Sequence, residues 1–232
     1  MVPISDTLAL GGVVVILVLL ARSVRVRVRR SLHETSEAQL REATALANRG
    51  PCGSAQGAVS QQAILAFLQG RGPDGQGRML GDVLSFSDEQ LEQAHDFIQW
   101  LFPSPQASSC HPQAPVASPE TFEKLRADPL ARKGLNQAFE RMLQFYGLQA
   151  EPSLQWALVQ VPGHDDVSGW LQDPTHNDLR LSRMMRAMSL CGEQAQADRL
   201  WSFLQQHFSS STDPSRRLAL TYWREAALDS PP

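Results

Sequence analysis

The chain has 232 residues, of which 42% are hydrophobic and 19% are charged, and this globular composition excludes a wholly disordered protein. Residues 1–30 contain five Arg and one Asp, whereas the rest of the chain contains 16 Lys and Arg against 23 Asp and Glu. The acidic body disfavours a nucleic-acid-binding domain, and the three cysteines (Cys52, Cys110 and Cys191) are too few and too scattered for a disulfide framework.

The first predicted element is a transmembrane helix near the amino terminus. Residues 7–21 are uncharged and read TLALGGVVVILVLLA, and five Arg follow within residues 22–30. Fifteen residues at ~1.5 Å each span about 22 Å, and a helix that extends back to Val2, with Arg22 snorkelling outward, approaches the ~30 Å of a bilayer core. Because Arg resists transfer across a membrane, we expect residues 7–30 to contact lipids and the domain to remain cytoplasmic.

Two other interpretations of this apolar run are open. A cleaved signal peptide is disfavoured because its basic residues should precede the apolar run, whereas here they follow it. A buried core helix is disfavoured because the run shows no polar face. The alternating string VRVRVRR is also compatible with an amphipathic strand, which we rank below the basic flank of an anchor.

Composition divides the chain into three predicted regions: an anchor with its basic flank at 1–30, a helical stalk and linker at 31–58, and a domain at 59–232. Residues 31–49 are rich in Ala, Glu, Leu and Gln and end at Gly50-Pro51, which is typical of a helix and its stop. Residues 50–58 are rich in Gly, Ser and Ala, which is typical of a linker.

Helix signals follow one another along the domain. A helix at 61–69 is followed by a Pro-Asp-Gly turn, which lacks the Gly-Lys-Ser/Thr ending of a phosphate-binding loop. A capping box at Ser87 predicts one helix that runs to Pro103, and further helix starts are predicted at Ser118, Asp128, Asn177, Gln194 and Asp213. Residues 154–159 are compatible with a strand or an extended strip, and no convincing sheet is predicted. We therefore predict an all-α fold, a single multi-helix domain with an N-terminal transmembrane helix.

The His, Cys and acidic residues include two candidates for a chemical site. His164, Asp165, Asp166 and His176 form the best candidate metal cluster, although His-Asp-Asp after Pro-Gly is also typical of a solvated turn. Cys110-His111 is a poor nucleophile site because adjacent residues of an extended segment point to opposite sides. No catalytic template is complete, so we expect no enzyme activity, no metal and no cofactor.

Two groups of residues are candidates for binding. His95 lies near the apolar stripe of its predicted helix, and a core histidine that is hydrogen-bonded to a neighbour explains this position as well as a binding role does. For Trp100, packing in the core is the first explanation. Arg180, Arg183 and Arg186 recur every three residues, so they should share one side of a helix, either as a solvated face or as a basic stripe for an acidic ligand.

Three strings resemble landmarks of one protein family: HDFIQWLFP at 95–103, MLQFYGL at 142–148 and HNDLRLSRMMR at 176–186. In this order and spacing they resemble the conserved domain of the opioid growth factor receptor family, and the chain is most similar to the shorter members. The resemblance covers residues 60–227 and implies an all-helical, membrane-associated domain with peptide-receptor activity in signalling. The candidate binding residues that follow from the motifs are His95, Trp100, His176, Asn177, Arg180, Arg183 and Arg186.

The predicted function is that of a membrane-anchored, non-enzymatic binding protein with receptor-like recognition of an unknown peptide or protein. Two alternatives stay open: a metal-dependent enzyme that uses His164, Asp165, Asp166 and His176, and a structural scaffold.

Overall fold

The computed structural model describes residues 56–108 and 111–228, so the predicted anchor and most of the predicted stalk and linker lie outside the described residues. The described residues form nine α-helices and one two-stranded sheet. The helices are α1 (Gln56–Leu68), α2 (Leu80–Leu84), α3 (Asp88–Gln93), α4 (Ile98–Leu101), α5 (Pro119–Ala127), α6 (Pro129–Phe145), α7 (Asn177–Leu190), α8 (Gln194–Phe208) and α9 (Pro214–Leu228). The first turn of α1 falls in the stretch that was predicted to be linker. Within the described ranges, no helix has the length and apolar character needed to cross a bilayer.

The mostly helical class is confirmed, and several helix ends lie where the sequence places them. Ser87 Oγ accepts from the backbone N–H of Gln90 at 3.2 Å, and Gln90 Oε1 accepts from the backbone N–H of Ser87 at 2.8 Å, which is the predicted capping box. Asp128 Oδ1 accepts from the N–H groups of Leu130 and Ala131, both at 2.9 Å, and starts α6. These caps satisfy amides that a helix start leaves without partners.

One predicted helix is wrong: the segment from Ser87 to Pro103 is not continuous. It breaks after α3, and Ala94 adopts an extended conformation before α4 begins. Arg180 Nη2 donates to the carbonyl oxygen of Ala94 at 2.6 Å. Because this carbonyl is engaged by a side chain from α7, the helix ladder does not continue through residues 94–97.

The expectation of no sheet is wrong at a small hairpin. Strands β1 (Leu148–Glu151) and β2 (Ala157–Gln160) pair antiparallel, with Leu148 opposite Gln160 and Glu151 opposite Ala157. Four-residue strands are too short to show a clear alternation of apolar and polar residues, which is why the pattern left this segment undecided. The hairpin follows α6 directly and lies against α8.

The core is formed by two helical groups that the hairpin joins, because β1 contacts α6 and β2 contacts α8. Helices α7, α8 and α9 pack on one another, and α1 packs on α4, α5 and α6. Gly134 lies where α6 comes close to the end of α1, because a Cβ at this position would collide with the carbonyl oxygen of Leu68. A buried ion pair joins α7 to α9: Arg216 Nη1 donates to Asp178 Oδ1 at 2.6 Å, and Arg216 Nη2 donates to the carbonyl oxygen of Trp170 at 2.7 Å.

Candidate functional site

Two helix ends that are distant in sequence meet in one polar cluster. Glu92 lies at the end of α3, His95 lies in the link between α3 and α4, and His176, Asn177 and Arg180 lie at the start of α7. We call these five residues the polar cluster. It contains four of the seven residues that the sequence proposed for binding, namely His95, His176, Asn177 and Arg180.

Arg180 is the central residue of the polar cluster. Its guanidinium donates from Nη1 to Asn177 Oδ1 at 3.1 Å and lies 3.3 Å from His95 Nδ1 through Nη2. An arginine has donors and no acceptor, so His95 Nδ1 is the acceptor and the ring proton is on Nε2. Burial lowers the pKa of Arg180, and Tyr146 and Glu92 act in the opposite direction. The guanidinium also lies 5.4 Å from the centroid of the Phe97 ring.

Asn177 links the polar cluster to the buried end of α6. Its Nδ2 donates to Glu92 Oε2 at 3.0 Å, and its Oδ1 accepts from the hydroxyl of Tyr146 at 3.2 Å as well as from Arg180. The Tyr146 side chain is buried, which raises its pKa above the usual value. The tyrosine therefore remains a neutral donor.

The two histidines of the polar cluster are held in the neutral form. Their rings meet edge to face, with centroids 4.9 Å apart. Burial lowers the pKa of His176 to about 3, with further lowering by Arg180 and His95, and burial also lowers the pKa of His95. His176 Nε2 lies 3.6 Å from Glu92 Oε1, which is longer than a hydrogen bond, and burial raises the pKa of Glu92.

The other proposed binding residues lie apart from the polar cluster. Trp100 packs edge to face on Phe67, with centroids 5.7 Å apart. Arg183 donates from Nη1 to the carbonyl oxygen of Phe102 at 3.1 Å, and burial lowers the pKa of Arg183 to about 10. Arg180 and Arg183 therefore form neither the solvated face nor the open basic stripe that the sequence suggested. Arg186 lies in the same helix, one turn further on.

The residues of the metal alternative do not assemble. His164 Nε2 lies 3.2 Å from the carbonyl oxygen of Phe145, Asp165 is exposed, and His176 belongs to the polar cluster. Asp166 Oδ1 accepts from Ser168 and Gly169 in its own loop. Within residues 56–108 and 111–228, no three His, Cys, Asp or Glu side chains form a group that could hold a metal ion.

A cavity of about 400 Å³ opens beside the polar cluster, between the end of α6, the end of β2 and the loop that follows β2. We call it the hairpin cavity. Tyr146, whose hydroxyl contacts Asn177, is one of the residues that line the cavity. The other lining residues include Gln160, Val161, His164, Asp166, Leu171 and Gln172. The cavity therefore combines apolar walls with a few polar groups, as ligand sites do.

Comparison with known proteins identifies the family. The model of the opioid growth factor receptor conserved region matches residues 80–230. The chain belongs to the opioid growth factor receptor family. The resemblance drawn from the three strings is thus confirmed, and the whole polar cluster and the hairpin cavity lie within the matched region of this family domain.

Named relatives of the family are similar to more than half of this chain. The opioid growth factor receptor of Mus musculus is 30% identical over 152 residues, which is 63% of this chain and 24% of the relative. The opioid growth factor receptor of Homo sapiens is 28% identical over 135 residues, which is 57% of this chain and 20% of the relative. The opioid growth factor receptor-like protein 1 of Xenopus tropicalis is 27% identical over 137 residues, which is 58% of this chain and 26% of the relative. The chain thus spans between a fifth and about a quarter of the length of these relatives. No solved structure matches the chain significantly.

Two site residues of this opioid growth factor receptor family domain were missed in the sequence: Glu92 and Tyr146. Glu92 belongs to α3, whereas His95 lies beyond the break after this helix, so the predicted continuous helix did not reveal how the two residues reach the same cluster. Tyr146 lies within the MLQFYGL string, and its hydroxyl contact with Asn177 joins residues 31 positions apart. No local pattern reveals such a contact.

Proposed function

We propose that this chain is a membrane-anchored, non-enzymatic binding protein whose helical domain recognises a peptide or protein. The observation that carries this proposal is that the family-matched region holds the hairpin cavity of about 400 Å³. A cavity of this size suits one or two side chains of a peptide. The relatives are named as receptors for opioid growth factor, so this peptide is the first ligand to test.

The contacts of the polar cluster support a binding protein more than an enzyme. Arg180 is engaged by Ala94, Asn177 and His95, and the Nε2 atom of His176 is buried. A general acid or base must reach the proton that it transfers, and a buried imidazole nitrogen does not reach an external substrate. These groups serve to fix the α3–α4 link onto α7, beside the hairpin cavity.

Binding is tested with synthetic opioid growth factor and the full 232-residue chain by isothermal titration calorimetry. Val161 lines the hairpin cavity, so Val161→Trp should fill the cavity and weaken binding at least about tenfold, or about 1.4 kcal/mol. Ala157→Trp places the same bulky side chain at an exposed position of β2 and should leave the affinity unchanged. Absence of measurable heat at all peptide concentrations would reject this ligand, and equal loss in both variants would reject the cavity as its site.

The membrane part of the proposal is supported by the uncharged run at residues 7–21 and the five Arg that follow it. A charge at the centre of such a helix costs about 2.5–3.5 kcal/mol. The wild-type chain should therefore stay in the membrane pellet after alkaline carbonate extraction, and Val15→Arg should move it to the supernatant. Neutral replacement of Arg22, Arg25, Arg27, Arg29 and Arg30 should mix the two orientations in a protease-protection assay. Recovery of the wild-type chain in the supernatant would contradict the anchor.

A further inference from the structure

The turn between β1 and β2 presents two large apolar side chains to solvent. Residues 152–157 are six consecutive exposed residues, and we call them the hairpin tip. Leu154 is 55% exposed and Trp156 is 53% exposed. All five tryptophans lie within the described ranges, and the four others are buried or half-buried. Trp156 is therefore the one exposed tryptophan of the chain.

The backbone of the hairpin tip holds Trp156 in a conformation that tryptophan rarely adopts. Gln155 has a φ of 56° and Trp156 has a φ of 65°, and both values lie in the left-handed region, where bulky residues are outliers. More than half of Trp156 stays exposed, so packing within the domain does not account for a ring at this strained position. Strained residues that persist in a fold are characteristic of functional sites.

Hydrogen bonds within the turn keep the hairpin tip in one shape. Glu151 Oε1 accepts from the backbone N–H of Ser153 at 3.1 Å and from the hydroxyl of Ser153 at 2.8 Å. The N–H of Trp156 donates to the carbonyl oxygen of Glu151 at 3.0 Å, and the N–H of Gln155 donates to the carbonyl oxygen of Pro152 at 3.2 Å. The backbone that carries the two apolar side chains is thus ordered before any partner arrives, which reduces the cost of binding.

The size and charge of the hairpin tip favour a lipid surface over a protein partner. A large aromatic side chain buries at most about 250 Å², so the exposed halves of Leu154 and Trp156 together offer on the order of 250 Å² or less, whereas a stable protein interface takes about 800 Å² from each partner. No residue from Pro152 to Gly163 is charged, so no charged side chain of this segment opposes transfer toward hydrocarbon. A bilayer needs no complementary pocket, and tryptophan is enriched at the boundary between headgroups and hydrocarbon.

We propose that the hairpin tip is a second membrane contact of this chain, with Leu154 and Trp156 inserted at the headgroup boundary of a bilayer. The proposed anchor brings the domain to the bilayer, and the role of the tip as a second contact rests on that proposed function. Residues 22–55 connect the apolar run to the first described helix, and at up to ~3.5 Å per residue their length allows the tip to reach the bilayer. Two side chains bind a bilayer weakly by themselves, but a tether holds them at a high local concentration. The nearest charged residue in the sequence, Glu151, is acidic, so neutral phosphatidylcholine is the lipid to test.

The contact is tested by quenching of tryptophan fluorescence with brominated lipid. The full chain carries Val15→Arg and an amino-terminal histidine tag, which holds it on phosphatidylcholine vesicles that contain a nickel-chelating lipid. The tether then does not depend on the anchor. Bromine on the acyl chains quenches an indole ring that enters the bilayer. Because one of the five tryptophans is exposed, brominated vesicles should lower the fluorescence by about a fifth relative to unbrominated vesicles with the same nickel content.

Matched variants assign the quenching to the hairpin tip. Trp156→Asn removes the ring and introduces a residue that tolerates the left-handed conformation, so this variant should unfold at a temperature no lower than that of the parent chain and should lose the quenching. Leu154→Ser, at an exposed position without a positive φ, should reduce the quenching. Trp100→Phe replaces a ring that packs on Phe67 and should retain it. Equal fluorescence of the tethered parent chain on both kinds of vesicle overturns the lipid contact and leaves the tip to a protein partner.

Flotation of the untagged wild-type chain with phosphatidylcholine vesicles separates this proposal from the proposed anchor. If the wild-type chain floats with the vesicles but the tethered chain is not quenched, the anchor stands and the contact of the hairpin tip is wrong. If the wild-type chain does not float but the tethered chain shows quenching that depends on Trp156, the contact of the hairpin tip stands and the anchor falls.

Discussion

Mild acid should destabilise the domain through the histidines of the polar cluster. The native pKa of His176 is about 3, whereas an unfolded histidine has a pKa of about 6.5. Below the unfolded value the unfolded chain takes up a proton that the native chain excludes. Stability is therefore unaffected by this group above about pH 6.5 and falls as the pH drops from there toward 3.

The size of the effect follows from these two pKa values. For His176 alone the loss at pH 5 is about 2 kcal/mol, and the 28% exposure of its side chain reduces this to about 1–2 kcal/mol. His95, whose pKa is also lowered, adds to the loss. Glu92 has a raised pKa in the native state, so the native chain binds this proton at a higher pH than the unfolded chain does. Protonation of Glu92 therefore offsets part of the loss in stability as the pH falls further.

The measurement is urea unfolding followed by circular dichroism at pH 7, 6 and 5. His176→Gln should lower stability at every pH because it removes the ring contact with His95, but it should flatten the loss between pH 7 and 5 by about 1–2 kcal/mol. Trp100→Phe is the control, because it perturbs the packing on Phe67 without removing a titratable group. A His176→Gln chain with the same pH slope as the wild-type chain would refute the assignment of the acid sensitivity to His176.

Three further substitutions test the packing and capping of the domain by thermal unfolding. Gly134→Ala places a methyl group 1.9 Å from a backbone oxygen of α1 and should cost about 3 kcal/mol or more, whereas Gly81→Ala meets open space and should be within about 0.5 kcal/mol of the wild type. Arg180→Met leaves the groups of the polar cluster without their donor and should cost about 3–5 kcal/mol, and Arg217→Met, at an exposed position, should change stability by less than about 0.5 kcal/mol. Ser87→Ala removes the cap of α3 and should cost about 1 kcal/mol; no measurable change would contradict the capping box.

The sequence predicted most helix ends because their causes are local. The cap at Asp128 uses amides two and three residues away, and the cap at Ser87 uses an amide three residues away. The family was likewise readable, since its three strings are continuous in the chain. The membrane anchor stays a prediction, because residues 1–55 lie outside the described residues.

The tertiary structure decided which of the candidate residues meet. His95 and His176 are 81 positions apart in the chain, yet their rings are in contact, whereas Trp100 and Arg183, which belong to the same predicted motifs, bind elsewhere. The break between α3 and α4 has the same origin, because the donor that captures the carbonyl of Ala94 comes from α7. A repeat of apolar residues specifies that a helix has a buried face, but the partner of a buried polar group is set by the packing of helices that are distant in sequence.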